Sequence, residues 1–313
     1  MTTNINSNEF NPEEQDVLDK FFKANQLFYS PDPEVMRYHG LQPRSEEEER
    51  VLEAGFDAHR ASMCRGRVQS ALDETHTMVE QMGVAPGAKW GDIVTCVFTA
   101  NGDMASTGTH GLVPFASVVG FPIRFILKYW RDDPTVGIRD GDAFIHNDSR
   151  YGNIHNTDQS MMMPVFYDGE LVCWVSSTIH EGENGAIEPG GMPSIAESKF
   201  DEGLKMSPFR VAENDELRRD LVTFLQNSVR DPKLQLADMK VKLHLAIRLR
   251  QRILAVIEEF GVDYLIGTLR KGLEDTETMV RKRIEEVPDG TYRINTFLDG
   301  TLRENLISKV PLS

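Results

Sequence analysis

Cysteine is scarce in this chain. Its three cysteines, Cys64, Cys96 and Cys173, lie far apart. An odd, unclustered set is neither a disulfide framework nor a zinc-finger spacing, and it fits a reducing compartment such as the cytoplasm. A surplus of positive charge is also missing: Lys and Arg number 34 against 49 Asp and Glu, a formal net charge of -15. Nucleic acid or an anionic membrane surface needs clustered Lys and Arg, so neither is an expected partner. No apolar run reaches the roughly 18 residues that would span a bilayer. The polar start MTTNINSNEFNPEEQ lacks the basic and apolar regions of a signal peptide. No GxxxxGK[ST] appears, so a P-loop, and with it ATP chemistry on this chain, is not expected. The 313 residues are enough for one large domain or two smaller ones, and a soluble intracellular protein is expected.

Residues 1–10 read as disordered. Asn11-Pro12 then gives an N-cap and N1 pair for a helix through Val17, Leu18, Phe21 and Phe22. A Pro-rich connector follows. Ser45 and Glu48 have capping-box spacing, and apolar residues from Val51 to Met82 keep a helical stripe, so one long helix is expected. DIVTCVFTANGDMAS reads as strand, Asn-Gly turn, strand; FASVVGFPIRFILKYW as a buried helix; GIRDGDAFIHND as turn, short strand, polar loop. MMMPVFYDGELVCWVSSTIH is a hairpin on Asp168-Gly169, and 181–195 is irregular. Helices are expected over 214–228, 232–260 (stopped by Gly261) and about 263–286. After Pro288 strand patterning returns, with Asp299-Gly300 as a turn. This predicts an α+β fold: an antiparallel sheet flanked by helices, with a C-terminal helical segment leading into a second β unit. The expected division is an extension over 1–45, a core over 46–286 and the start of a second β module over 287–313. A β unit that begins and stops there reads as a fragment, or as a subunit completed by another chain.

The chemistry concentrates in HNDSRYGNIHNTDQS, residues 146–160. His155 and Asp158 form an H-x-x-D pair, which converges in a turn. If Asp168-Gly169 is a two-residue turn, His180 opposes Thr157. If Pro164 marks a bulge in the first strand, Asp158 opposes Thr178 instead. Either register gathers His155, Asp158 and His180 at one end of the hairpin. Two imidazoles and one carboxylate suit Mn²⁺, Fe²⁺ or Zn²⁺ better than Ca²⁺ or Mg²⁺, and three protein ligands leave open positions for chemistry. The competing reading is a polar hairpin end whose histidines are simply hydrogen-bonded. Glu183 is a candidate base, or an acceptor behind the ligands. Asp148, with Asn147, is a candidate to orient them, and His110 is a candidate to reach the same pocket. For Asp148, Asn147 and His110 a turn-stabilising role is the alternative. EPGGMP, 188–193, reads as a loop that could bring backbone close to a ligand. The Met161–Met163 run and the tryptophans read as core.

FTANGDMASTG, DGDAFIHNDSRYGNIHNTDQSMMMPVFYDGELVCWVSSTIH, GAIEPGGMPSIAESKFDEGLKMSP and the helices up to EEFG resemble the hydantoinase B family. That family holds the B-type halves of hydantoinases, the matching half of 5-oxoprolinases and the α-type subunits of ketone carboxylases. The resemblance covers roughly 46–300, and NDS followed by GN-x-H and D is closer to the acetone and acetophenone carboxylases. It implies that the family's metal positions fall on His155, Asp158 and His180, with manganese as the preferred ion and zinc or iron as alternatives. It implies a hydantoinase A-like partner that uses ATP to activate ketone and bicarbonate, with a small third subunit. The metal site here would join bicarbonate-derived CO2 to the enolate, giving a 3-oxo acid. The alternative is a subunit of an ATP-dependent cyclic-amide hydrolase of hydantoinase or 5-oxoprolinase type. A non-catalytic scaffold that docks the ATP-using subunit is a third possibility. Two features depart from the pattern: no histidine near Phe115–Gly120, and Gln159-Ser160 where acetone carboxylases tend to carry another histidine. Chains of this family are typically longer.

Overall fold

In the computed structural model the described residues are 12, 13, 16, 17, 31–37, 39–116, 118–293, 295–298 and 308–311. The disorder expected for 1–10, most of the helix expected from Asn11-Pro12, and the Asp299-Gly300 turn lie outside them. The described chain begins with α1 (Pro33–Arg37), α2 (Glu46–Ala54), α3 (Ala58–Met82) and α4 (Pro86–Trp90). The Ser45–Glu48 capping box forms: Ser45 Oγ accepts from the Glu48 N–H at 3.2 Å, and the Glu48 carboxylate accepts from the Ser45 N–H at 3.0 Å. The single helix expected from Ser45 to Met82 is in fact two. Gly55 takes a φ of 72°, which ends α2, and Asp57 then caps α3 by accepting from the Arg60 N–H.

The sheet strands are β1 (Ile93–Thr99), β2 (Met104–Thr107), β3 (Ala143–His146), β4 (Asp158–Tyr167), β5 (Glu170–His180), β6 (Phe209–Glu213) and β7 (Glu216–Leu217). Between β2 and β3 lie α5 (Val113–Ala116) and α6 (Gly120–Tyr129); after β7 come α7 (Arg219–Asn227), α8 (Pro232–Phe260) and α9 (Val262–Glu285). The helix expected over 214–228 starts only at Arg219. Asn214 and Asp215 instead adopt φ values of 51° and 64° and turn β6 back into β7, a tight hairpin that the sequence reading missed. A separate two-stranded sheet, β8 (Asn295–Leu298) with β9 (Ser308–Pro311), follows the helices as the second β unit.

The seven-stranded sheet is ordered β2-β1-β5-β4-β3-β6-β7, with every pairing antiparallel. Alternation along the strands gives it two faces. One face carries Val97, Ile145, Met161, Met163 and Val175 into a core shared with α3, α8 and α9. The other carries Val94, Cys96, Phe98, Phe144, Met162 and Trp174 against Phe115, Val119, Ile123 and Ile126. The result is a helix–sheet–helix α+β fold whose central strands are buried on both sides. Each large apolar side chain so buried stabilises it by about 1.5–3 kcal/mol. The methionine run and Trp174 are core, as expected, but Trp90 is exposed at the end of its short helix and Trp130 is only partly buried. Among the described residues, no helix is long and apolar enough to cross a membrane.

Candidate metal centre

The β4–β5 hairpin sets the site. Asp168 and Gly169, with φ of 50° and 86°, make the expected two-residue turn, and Tyr167 opposes Glu170. The register then shifts between Val165 and Phe166, where Phe166 pairs with Leu171 and Val165 with Cys173. The extra residue, Val172, is therefore on β5, not in the first strand beside Pro164. Both registers expected from the sequence are corrected: Asp158 pairs directly with His180. Directly opposed side chains share a face. On the far side of β5, Ile93 pairs with Ile179, and the His180 N–H donates to the Asp92 carbonyl at 3.1 Å. Asp92, His180 and Asp158 thus occupy one cross-strand row on one sheet face.

His155 reaches this row from the loop before β4. The Asp158 N–H donates to the His155 carbonyl at 3.1 Å, closing a turn. Asn153 Nδ2 donates to the carbonyls of Asn147, His155 and Asp158 at 2.7, 2.8 and 2.7 Å. One buried amide therefore ties together the backbone at both histidine-loop ends. Thr157 Oγ1 hydrogen-bonds His155 Nδ1 and lies 3.1 Å from His180 Nε2, so one hydroxyl orients both rings. Gly191 of EPGGMP abuts the Thr157 methyl with a φ of +77°, where a Cβ has no room. That loop brings its backbone to the wall of the site.

His155 Nε2 lies 3.4 Å from Asp158 Oδ2, and the two imidazole centroids are 5.0 Å apart. One ligand atom from each of His155, Asp158 and His180 lies within 4.8 Å of the others. Asp158 is fully buried, and neither carboxylate oxygen has a hydrogen-bond partner among the described residues. Burial, with the charge of Asp92 adding to it, pushes Asp158 up to about 8. Burial also lowers His155, which keeps its imidazole neutral and able to coordinate. A buried carboxylate without donors is costly unless a cation or a proton meets it. The two imidazoles of His155 and His180 beside it complete a donor set that fits a borderline divalent ion.

The other candidates lie elsewhere. Glu183 accepts from the Arg230 backbone and from Arg230 Nη1 at 2.8 Å, and from the Gly185 N–H at 2.7 Å. It clamps two loops together. Asp148 caps a short 3₁₀ turn and pairs with Arg150 at 2.6 Å. Burial raises its carboxyl, but the bonds from Arg150 outweigh this and hold it below its usual value. Asn147 ties the loop to the Asn156, Leu204 and Met206 backbone at 2.5, 2.9 and 2.6 Å. His110 is exposed, with its ring 6.3 Å from that of His76. Sequence reasoning missed Asp92 and Glu202, whose charges both act on His155 and Asp158. It also missed Thr157 as the residue joining the rings. Glu202 accepts from the Asn156 N–H at 3.2 Å. No local signal reveals these acids, because β1 and the 199–203 turns reach the site only through long-range pairing.

The residues next to the candidate ligands point the other way. Gln159 exchanges a 2.8 Å hydrogen bond with Gln235 and accepts from Lys242 Nζ at 3.0 Å. Lys242 also pairs with Glu181, and both side chains are fully buried. The strand end carrying Asp158 and His180 is thereby bolted to α8.

The sequence is 41% identical over 228 residues to the acetophenone carboxylase delta subunit of Aromatoleum aromaticum, covering 72% of this chain and 32% of that one. It is 31% identical over 163 residues to the B component of a putative D-/L-hydantoinase of Pseudomonas sp. strain NS671, covering 52% and 28%. The chain thus spans about a third of the length of these relatives. The fold matches a nucleotide-free acetone carboxylase structure with a TM-score of 0.72 and 24% identity, over 80% of this chain and 35% of that one. The sequence profile of hydantoinase B/oxoprolinase matches residues 57–312, and the chain belongs to that family.

Proposed function

We propose that this chain is the metal-binding catalytic part of an ATP- and bicarbonate-dependent ketone carboxylase, working in the cytoplasm. The core over 46–286 carries the site, 1–45 is an extension, and 287–313 begins a further β module. The observation that carries the reading is the buried, donorless Asp158 carboxylate facing His180, with His155 beside it, in a chain similar to an acetophenone carboxylase subunit. Mn²⁺ is the preferred ion, with Zn²⁺ or Fe²⁺ as alternatives. When bound by His155, Asp158 and His180, the ion would stabilise negative charge developing on a substrate oxygen. Thr157 holds both imidazoles in one orientation. Asp158 gives a fixed negative ligand, and its burial keeps water from screening the site. Glu183 and Asp148 act as positioning residues for the loops. His110 is the candidate to reach the same pocket, from a turn after β2 whose Leu112 N–H donates to the Ile93 carbonyl, next to Asp92.

ATP is used by a hydantoinase A-like partner, with a small third subunit, since this chain has no P-loop. That partner activates the ketone and bicarbonate. The present site joins the enolate carbon to CO2, forming one C–C bond and giving a 3-oxo acid. A second reading, cyclic-amide hydrolysis, is favoured by the likeness to a hydantoinase component. The test is an assay of the chain with its partner subunits and ATP. Bicarbonate-dependent consumption of a ketone is expected. Ring opening of a hydantoin or lactam without bicarbonate would replace the first reading by the second.

A further inference from the structure

One register step inside the metal row lies a second row on the same sheet face. Asp158 pairs with His180, and two residues further in Ser160 pairs with Thr178 on one side and His146 on the other. Alternation puts all of these on the face that Phe144, Met162 and Trp174 continue. Ser160 Oγ and Thr178 Oγ1 are hydrogen-bonded at 2.8 Å. His146 is fully buried, and neither ring nitrogen has a partner among the described residues. Ser176 Oγ, one step deeper, is also unpartnered among them. Leaving a buried donor or acceptor unmet costs about 1–3 kcal/mol. An apolar residue at His146 would avoid that cost, since its neighbours Phe144 and Met162 are already apolar core.

A diagonal neighbour across two strands lies about 7–8 Å away at Cα, within reach of an imidazole and a small ligand between. A buried His146 is neutral and offers one N–H donor and one acceptor. No Lys or Arg lies in this row, so its donors are neutral, and any anionic charge must be met at the metal. We propose that His146 is a substrate-binding residue that donates a hydrogen bond to an oxygen of the carbonyl or carboxyl group held at the metal. This rests on the metal reading above. With an ion held by His155, Asp158 and His180, one oxygen of the group would be met there and the second by His146. Ser160 and Thr178 lie between them on the same face, with Phe144, Met162 and Trp174 behind.

The test uses the Mn²⁺-loaded chain with bicarbonate as probe, read by water-proton relaxation, for wild type, His146→Leu and His146→Gln. Metal affinity is expected to stay the same in all three. Bicarbonate affinity falls about tenfold in His146→Leu and is largely retained in His146→Gln, which keeps an N–H donor. Equal bicarbonate affinity in wild type and His146→Leu overturns the proposal. So does loss of metal on His146→Leu, which would make His146 part of the ion's own support. Absence of bound metal in wild type overturns the underlying metal reading instead. Should His146→Leu not fold, the ring ¹⁵N resonances of His146 in the unmodified Zn²⁺-loaded chain decide: a shift on adding bicarbonate is expected, and none overturns the proposal.

Discussion

Asp158 is a carboxylate that makes no hydrogen bond among the described residues, with only His155 Nε2 near it at 3.4 Å, and it is held against Asp92 in the same cross-strand row. Without a cation, that arrangement destabilises the fold. Replacing Asp158 by Asn removes a carboxyl that must take up a proton to be buried without a cation, at nearly constant volume. The metal-free Asp158→Asn chain is therefore expected to gain about 1–3 kcal/mol in urea denaturation, while losing metal binding; a less stable metal-free variant would contradict this. Asp92→Asn is expected to weaken metal affinity by about 10–100-fold, as loss of a charged partner behind a ligand does. Chelator competition measures it, and unchanged affinity would remove Asp92 from the site. His155 and Asp158 were legible in the sequence because three residues in a turn bring them together. Asp92 was not, since only the β1–β5 pairing carries it there.

At the scale of elements, the hairpin's turn was legible from Asp168-Gly169, but its bulge was not. Pro164 marks the first strand as the place for a bulge, whereas the extra residue is Val172, an ordinary β-former with no special signal. The register error changed the partner of Asp158 but not the gathering of the three residues. The bolt to α8 makes a separate prediction. Lys242→Met leaves Glu181 buried and unpaired, costing about 3–5 kcal/mol. Lys242→Met with Glu181→Leu should recover most of that loss in urea denaturation; a double variant as unstable as the single would show that packing, not charge, is at stake. The long helix after Ser45 was misread because Gly55 and Asp57 together can both end and restart a helix within one continuous apolar stripe.

At the scale of the whole molecule, two carboxylates latch the 31–45 segment to the rest. Asp32 is raised by burial, but bonds from Lys128 and Tyr129 outweigh this and hold it at about 2. Glu274 is held at about 2 chiefly by Arg44. A depressed carboxyl contributes stability above its unfolded value, near 4, that is lost as pH falls through the folded value near 2. Protection of the 31–45 amides against hydrogen exchange, taken relative to their intrinsic rates, is therefore expected to fall as pH drops from about 4.5 to 2, before that of the α3–α8 core. Simultaneous opening of both would contradict it. The helix–sheet–helix layering was legible from alternating and helical patterns. The β6–β7 hairpin was not, because its strands are short and its turn is Asn-Asp rather than Asn-Gly.

The chemistry proposed for the site depends most on the ion. Elemental analysis of the chain after Mn²⁺ loading and desalting is predicted to find about one ion per molecule in wild type and almost none in His180→Ala. Equal metal content in the two proteins would contradict the site at His155, Asp158 and His180.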